Sequence, residues 1–362
     1  MEVRLSKIRQ MLVDQSLDAV IISSSSNIFY TTGYGGFIPE ERDAYVLITK
    51  NAGFIFTHAL YAEAMGTEIP HLSLVEITRD EPFADSMKRL VREHDIKTLG
   101  FESENITVSE HEKLSPIEVT LKPVNLSQLR AYKEHTESAK LQEACALTDD
   151  AFEYVLDLIK PGVTEKQIES AFNKYFTQHD AESAFRAIVA FGKNASVPHH
   201  LAGETKLKET DTILCDFGAK VDSYCADESR TFFKGSPTAE QKKIYQIAYD
   251  AQQQAIKYIE DNLQNDTDVS AFEADKTART YIESQGYPAF PYSLGHGVGL
   301  EVHEYPLINP RSKAKLENNM VFTLEPGIHL PGEFGVRIED VFTIEENKLI
   351  KLTHSTNDLL II

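Results

Sequence analysis

Long apolar runs are missing from this sequence. None reaches the roughly 20 residues that a membrane-spanning helix needs. The opening stretch, MEVRLSKIRQMLVDQSLDAVII, is amphipathic and lacks the core of a signal peptide. Positive charge is also scarce: 36 Lys and Arg against 56 Asp and Glu leave a net charge of −20. Without a basic footprint, nucleic acid is not an expected partner. Cysteine is sparse, with Cys145, Cys215 and Cys225 forming an odd set without a CxxC pair. That argues against a disulfide framework and for buried, reduced thiols in a cytoplasmic protein. Zinc ligation by Cys215 and Cys225 is the less favoured alternative. What remains is the composition of a globular protein, 42% hydrophobic and 25% charged, in a 362-residue chain long enough for two domains with separate cores.

The first third reads as an α/β domain. DAVIIS, YVLIT and GFIFT are strand-like runs bounded by turn formers, and Leu5, Ile8 and Leu12 repeat at helical spacing. SSSSN, residues 23–27, is expected to cap a strand end. From about Leu129 the pattern changes. A long helical stretch runs to Pro161-Gly162, and a second helix opens on a capping box, Thr164 with Gln167. A second pair of helices opens at Thr238 with Gln241 and at Ser270 with Glu273, and closes at Gly286. A β-rich segment follows each pair, so one plan of helices and then hairpin is used twice. The domains are placed at 1–128 and 129–362.

The β-rich segments carry the chemistry. In DTILCDFGAKVDSYCADESRTFF, Asp216 ends an apolar strand, and Asp227, eleven residues on, is expected on the next. In NMVFTLEPGIHLPGEFGVRIEDVFTI, Glu325 and Glu339 repeat the arrangement fourteen residues apart. Arg230 and Arg337 stand near the second acid of each pair. SLGHGVGLEVHE supplies His296 in a glycine-rich turn, with His303 after it. Taken singly, these motifs are ordinary turn chemistry, a surface salt bridge and a loop. Taken together, four carboxylates at apolar strand ends are costly to bury unless cations offset them. Divalent ions held by carboxylates and one histidine, with room for water, suit hydrolysis.

IVAFGKNASVPHH, DFGA, YCADESRTF, GHGVGLEVHE, TLEPGI and GVRIED closely resemble, in order, the motifs of the prolidase and aminopeptidase P family. LDAVIISSSSNIFYTTGY resembles the start of that family's N-terminal domain. The resemblance implies an α+β protein, with a smaller α/β domain before a C-terminal catalytic domain of the pita-bread fold. It implies two divalent ions on Asp216, Asp227, His296, Glu325 and Glu339. Asp227 and Glu339 would bridge both ions, Asp216 would hold one, and His296 with Glu325 the other. Glu325 would also be the catalytic acid and base, His199 and His303 would contact substrate or intermediate, and Arg337 would stand beside the metal shell. His200 is read as structural. Manganese is the expected metal, with cobalt or zinc as alternatives.

The expected activity is hydrolysis of small peptides with proline in second position, by a cytoplasmic homodimer. The compact length favours a dipeptidase over an aminopeptidase acting on longer peptides. A methionine aminopeptidase would lack the large N-terminal domain. A creatinase, or a non-catalytic binding protein, would lack the metal ligands. Two positions depart from the family pattern: Tyr292 stands where a histidine is usual and His329 where a tyrosine is usual. Tyr292 is expected to face the substrate cleft, with packing on Phe290 and Pro291 as the alternative.

Overall fold

The computed structural model describes residues 1–38 and 40–362. The chain divides into two compact units, Met1–Arg130 and Ala131–Ile362. The first is a six-stranded mixed sheet. Its central strand, Ala19–Ile22, pairs parallel with Thr98–Glu102 and antiparallel with Ala44–Thr49. All four residues of that strand are buried, as expected of a strand covered on both faces. The helix Glu2–Asp14 buries Leu5, Ile8 and Leu12. The serine run does more than close a strand. The Ser24 backbone N–H (2.9 Å) and Oγ (2.8 Å) donate to the buried Glu102 carboxylate, and Ser24 caps the helix Ser25–Thr32.

The second unit has the doubled plan. Helices His135–Leu156 and Glu165–Gln178 precede a sheet of Ile188–Phe191, Asp211–Phe217 and Glu228–Lys234. Helices Ala239–Gln264 and Ala271–Ser284 precede a five-stranded sheet built around Gly295–Gly297, Val321–Leu324 and Asp340–Glu345. Both threonine capping boxes form, at Thr164 and at Thr238. Gly286, at φ +87°, takes the left-handed conformation that ends the last helix. The long helical stretch predicted from Leu129 is interrupted. Ser127–Arg130 is a separate turn, and the main helix begins at its own capping box, Glu134 with Glu137.

Each half has its own core. In the first, Phe152, Phe172, Phe217 and Phe232 pack together, the Phe172 and Phe217 rings stacking at 4.3 Å. Fully burying such a side chain contributes about 1.5–3 kcal/mol. In the second, alanines at 248, 251, 274 and 278 let the two helices approach closely over Phe322 and Val336. The halves meet along a seam where Glu339 pairs with Ser229 as an isolated bridge, its N–H 3.1 Å from the Ser229 carbonyl.

Candidate metal centre

Both halves reach the seam in the same way: a buried strand, an acid at or near its end, a hairpin, a second acid, and another strand. In the first, Asp216 lies near the end of Asp211–Phe217, and Asp227 just before Glu228–Lys234. In the second, Glu325 follows Val321–Leu324, and Glu339 directly precedes Asp340–Glu345. The second acids therefore lie in breaks between strands and not on the strands where they were expected. A break frees the backbone from the regular ladder and lets the carboxylate turn into the seam.

The glycines around His296 form a strand, not the expected turn. Gly295–Gly297 is hydrogen-bonded on both sides, with a register shift between His296 and Gly297. A Cβ at Gly295 would stand 1.9 Å from the Thr323 carbonyl oxygen, and one at Gly297 would stand 2.3 Å from that of Tyr305. Only glycine lets three backbones come this close. The result fixes His296. Its Nδ1 lies 3.2 Å from the Gly297 carbonyl, which can only accept, so Nδ1 carries the proton and Nε2 presents its lone pair to the acids. Nε2 is 3.3 Å from Glu325 Oε1, 3.6 Å from Asp227 Oδ2 and 4.0 Å from Glu339 Oε1.

All five residues converge. His296, Glu325 and Glu339 bring ligand atoms within 4.8 Å of one another, as do Asp216, Asp227 and Glu339. Asp227, His296 and His303 form a third such group. Asp216, Asp227, His296 and Glu339 are buried, while Glu325 is partly open to solvent. Burial, opposed by Arg337 and reinforced by Glu325, raises the pKa of Asp216. Burial and then Glu339 and Asp216 raise Asp227 strongly. Burial followed by Glu325 and Asp216 does the same to Glu339. No hydrogen-bond donor reaches the buried Asp216 Oδ1 or Asp227 Oδ1. Buried acceptors without donors, among crowded acids and one imidazole lone pair, fit divalent cations.

Arg337 is the compensating cation at this site. It pairs with Asp216, donates from Nε to Ser229 Oγ (2.8 Å) and from Nη1 to the Pro198 carbonyl (3.2 Å). Arg230 does not share the task. It is clasped between Glu228 (3.1 Å) and Asp340 (2.7 Å), the residues that follow the two strand-break acids. Burial pushes Glu228 up to about 8 against the pull of Arg230. The same burial is outweighed at Asp340, where Arg230 and Lys351 hold the pKa below the usual carboxylate range.

A cavity of about 500 Å³ opens onto the acids. Its walls include Phe185, Ile188, Leu201, Val302 and Leu307, and both His199 and His303 line it. The His303 ring packs edge-on against His296 at 4.3 Å. Desolvation and then His296 lower its pKa. His200 also lines the cavity, and its Nε2 bonds the fully buried Glu165 carboxylate at 2.9 Å. The cysteines are free and buried, and none belongs to the candidate metal groups.

Sequence reasoning missed Ser229 and Glu165. Ser229 Oγ donates to Glu339 Oε2 (2.8 Å) while accepting from Arg337, and so ties the two halves together. Glu165 accepts from Phe191 N–H, Asn194 Nδ2 and Gly203 N–H as well as His200. Its only signal was an acid directly after the capping Thr164, which reads as ordinary helix-end chemistry.

A pita-bread fold carrying this donor set on its seam defines a metal-dependent peptidase. The chain belongs to metallopeptidase family M24, whose profile matches residues 139–346; residues 4–149 match the creatinase/prolidase N-terminal domain. It is 34% identical to an Xaa-Pro dipeptidase of Lactobacillus helveticus, over 99% of this chain and 98% of that one. It is also 34% identical to an uncharacterized peptidase of Bacillus subtilis, over 99% of this chain and 100% of the relative. The solved Xaa-Pro dipeptidase from Bacillus anthracis matches with a TM-score of 0.91 at 30% identity, covering 100% of this chain and 99% of that one. An X-Pro aminopeptidase from Thermotoga maritima matches at 0.84 and 31% identity, covering 96% and 98%. Among the described residues no helix is long and apolar enough to cross a membrane.

The raised carboxyls make a pH prediction. A carboxyl whose folded pKa exceeds its unfolded value contributes stability below the ordinary carboxylate range and loses it as pH rises through the folded pKa. Asp216, Asp227 and Glu339 are all raised in the protein without ions. Divalent ions require the ionised forms. The gain in Tm from saturating manganese over chelated protein is therefore expected to be larger at about pH 8 than at about pH 5. Thermal melts at both pH values check this, and an equal or reversed gain contradicts it.

Proposed function

We propose that the protein is a two-metal Xaa-Pro dipeptidase. The observation that carries the reading is the seam cluster of four carboxylates and one oriented imidazole, open to a cavity on one side. Asp216, Asp227, His296, Glu325 and Glu339 would together hold the two ions. The oxygen-rich set suits manganese best, with cobalt or zinc as alternatives. When bound, the ions supply an acidified water and neutralise charge developing on the scissile carbonyl.

The chain's own residues supply the rest. Glu325, the acid least enclosed, takes the proton of the attacking water and returns it to the proline nitrogen as the peptide bond breaks. That nitrogen belongs to a tertiary amide, so its protonation makes it a competent leaving group. His199 and His303 line the cavity and are assigned to the oxyanion and the substrate carboxylate. Arg337 pairs with Asp216 and holds it in place, opposing the burial that raises its pKa. The apolar wall suits a pyrrolidine ring, and the cavity volume is that of a small-molecule site. A homodimer in the cytoplasm completes the reading, on the strength of the family resemblance.

Length does not separate the two peptidase readings, since this chain covers 98% of the Thermotoga X-Pro aminopeptidase. The dipeptidase reading is supported by the relatives of that name. Its test is kcat/KM on an Xaa-Pro dipeptide beside an Xaa-Pro-Yaa tripeptide, with manganese, cobalt and zinc in turn. A dipeptidase prefers the dipeptide by at least about tenfold. The reverse preference would make the protein an aminopeptidase.

A further inference from the structure

The two positions that depart from the family pattern touch each other. The Tyr292 hydroxyl lies 3.2 Å from His329 Nε2, and the rings meet edge-on at 5.8 Å. On its other side, His329 Nδ1 lies 3.1 Å from the Ala195 carbonyl. A carbonyl only accepts, so Nδ1 carries the proton, Nε2 accepts, and the Tyr292 O–H is the donor. The chain Tyr292–His329–Ala195 thus has a single hydrogen-bond direction.

Two glycines keep the space for it. A Cβ at Gly327 would lie 2.3 Å from the Tyr292 hydroxyl, and one at Gly335 2.0 Å from the Ala195 oxygen and 2.5 Å from His329 Nδ1. The same hairpin grips the Ala195 segment twice more. Gly332 N–H donates to Ser196 Oγ (3.2 Å), and Arg337 Nη1 to the Pro198 carbonyl (3.2 Å). Glu165 also holds Asn194, His200 and Gly203. His199 sits between these clamps and lines the cavity. The backbone of Tyr292 is anchored in turn: its carbonyl accepts from Arg279, whose guanidinium is held by Asp275. Its ring also packs on Phe290 at 5.4 Å, so the packing expected as an alternative coexists with the cavity-facing one.

We propose that Tyr292 and His329 act as one positioning pair, which locks residues 195–198 against the second-half hairpin and thereby aims His199 into the cavity. The reading rests on the role given to His199 under the proposed function. A group that steadies the transition state shows its loss in kcat, whereas one that binds the ground state shows it in KM. The pair should also be energetically coupled, so that losing either member removes most of what both supply.

The variants are Tyr292→Phe, His329→Phe and the two combined. Hydrogen–deuterium exchange of residues 192–200 is compared with that of the helix Ala239–Gln264, and kinetics on an Xaa-Pro dipeptide and metal content are measured alongside. Each single variant is expected to speed exchange in the segment about tenfold with the helix unchanged. Each should lower kcat about tenfold at near-constant KM and metal content, with the double variant no worse than about threefold below either single. Unchanged exchange in the segment, additive losses in the double, or a loss confined to KM would overturn the proposal. Exchange needs no substrate, so a wild-type protein without peptidase activity would sink the functional reading while the pair is still judged by exchange.

Discussion

Glu325→Gln is expected to lower kcat on an Xaa-Pro dipeptide by about 10²–10⁴-fold, the usual worth of general acid–base catalysis. The substitution keeps the size of the side chain and leaves it one oxygen. It removes the ability to take a proton from water and to return it to the proline nitrogen. Glu325 is suited to that exchange by position, since it follows the strand Val321–Leu324 and its side chain is 14% exposed where the Glu339 side chain is 2%. The fold should survive, because the Glu325 backbone N–H still bonds the Leu294 carbonyl at 2.7 Å. KM should change little if the lost interaction belongs to the transition state. Part of the loss will come from a weakened ion site, so metal content is measured on the same sample. A variant that retains its ions and turns over within a few-fold of wild type would remove Glu325 from this role.

Local chemistry made much of the framework readable. The caps at Thr164 and Thr238 and the stop at Gly286 are short-range hydrogen-bonding and backbone effects, and they form where the residue pattern places them. The first acids, Asp216 and Glu325, stand at the ends of apolar runs, and run length alone marks a strand end. The second acids were harder. Asp227 and Glu339 precede their strands because a short hairpin is inserted on each side, Ala219–Val221 with Tyr224–Cys225 and Gly327–Leu330 with Phe334–Arg337. Periodicity cannot separate such a hairpin from the long strands that flank it.

Features that depend on distant parts of the chain were not readable at all. Arg230 stands three residues from Asp227, yet it pairs with Asp340, 110 positions away. Glu165 looks like any first-turn helix acid until four groups from residues 191–203 converge on it. The glycines beside His296 are expected to allow a turn and a close approach of backbone; the close approach is there, but within a strand. Their reason is backbone crowding by Thr323 and Tyr305, a tertiary fact. Tyr292 and His329 are 37 residues apart, and only the fold shows that they are partners.

The crowded acids on the seam are expected to be held in their ionised form by divalent cations, and to be catalytic only then. Among the described residues Arg337 is the one guanidinium whose ion pair is to a carboxylate of the set, against four carboxylates, and uncompensated buried charge is strongly unfavourable. Chelated protein is therefore expected to lose essentially all hydrolysis of an Xaa-Pro dipeptide and to regain it on adding manganese. The most direct measurement titrates manganese into chelated protein, following proline release and bound metal together. Activity is expected to rise to a plateau at about two ions per chain, with Glu325→Gln inactive at the same occupancy. Full activity in exhaustively chelated protein, or a plateau reached with no metal bound, would contradict it.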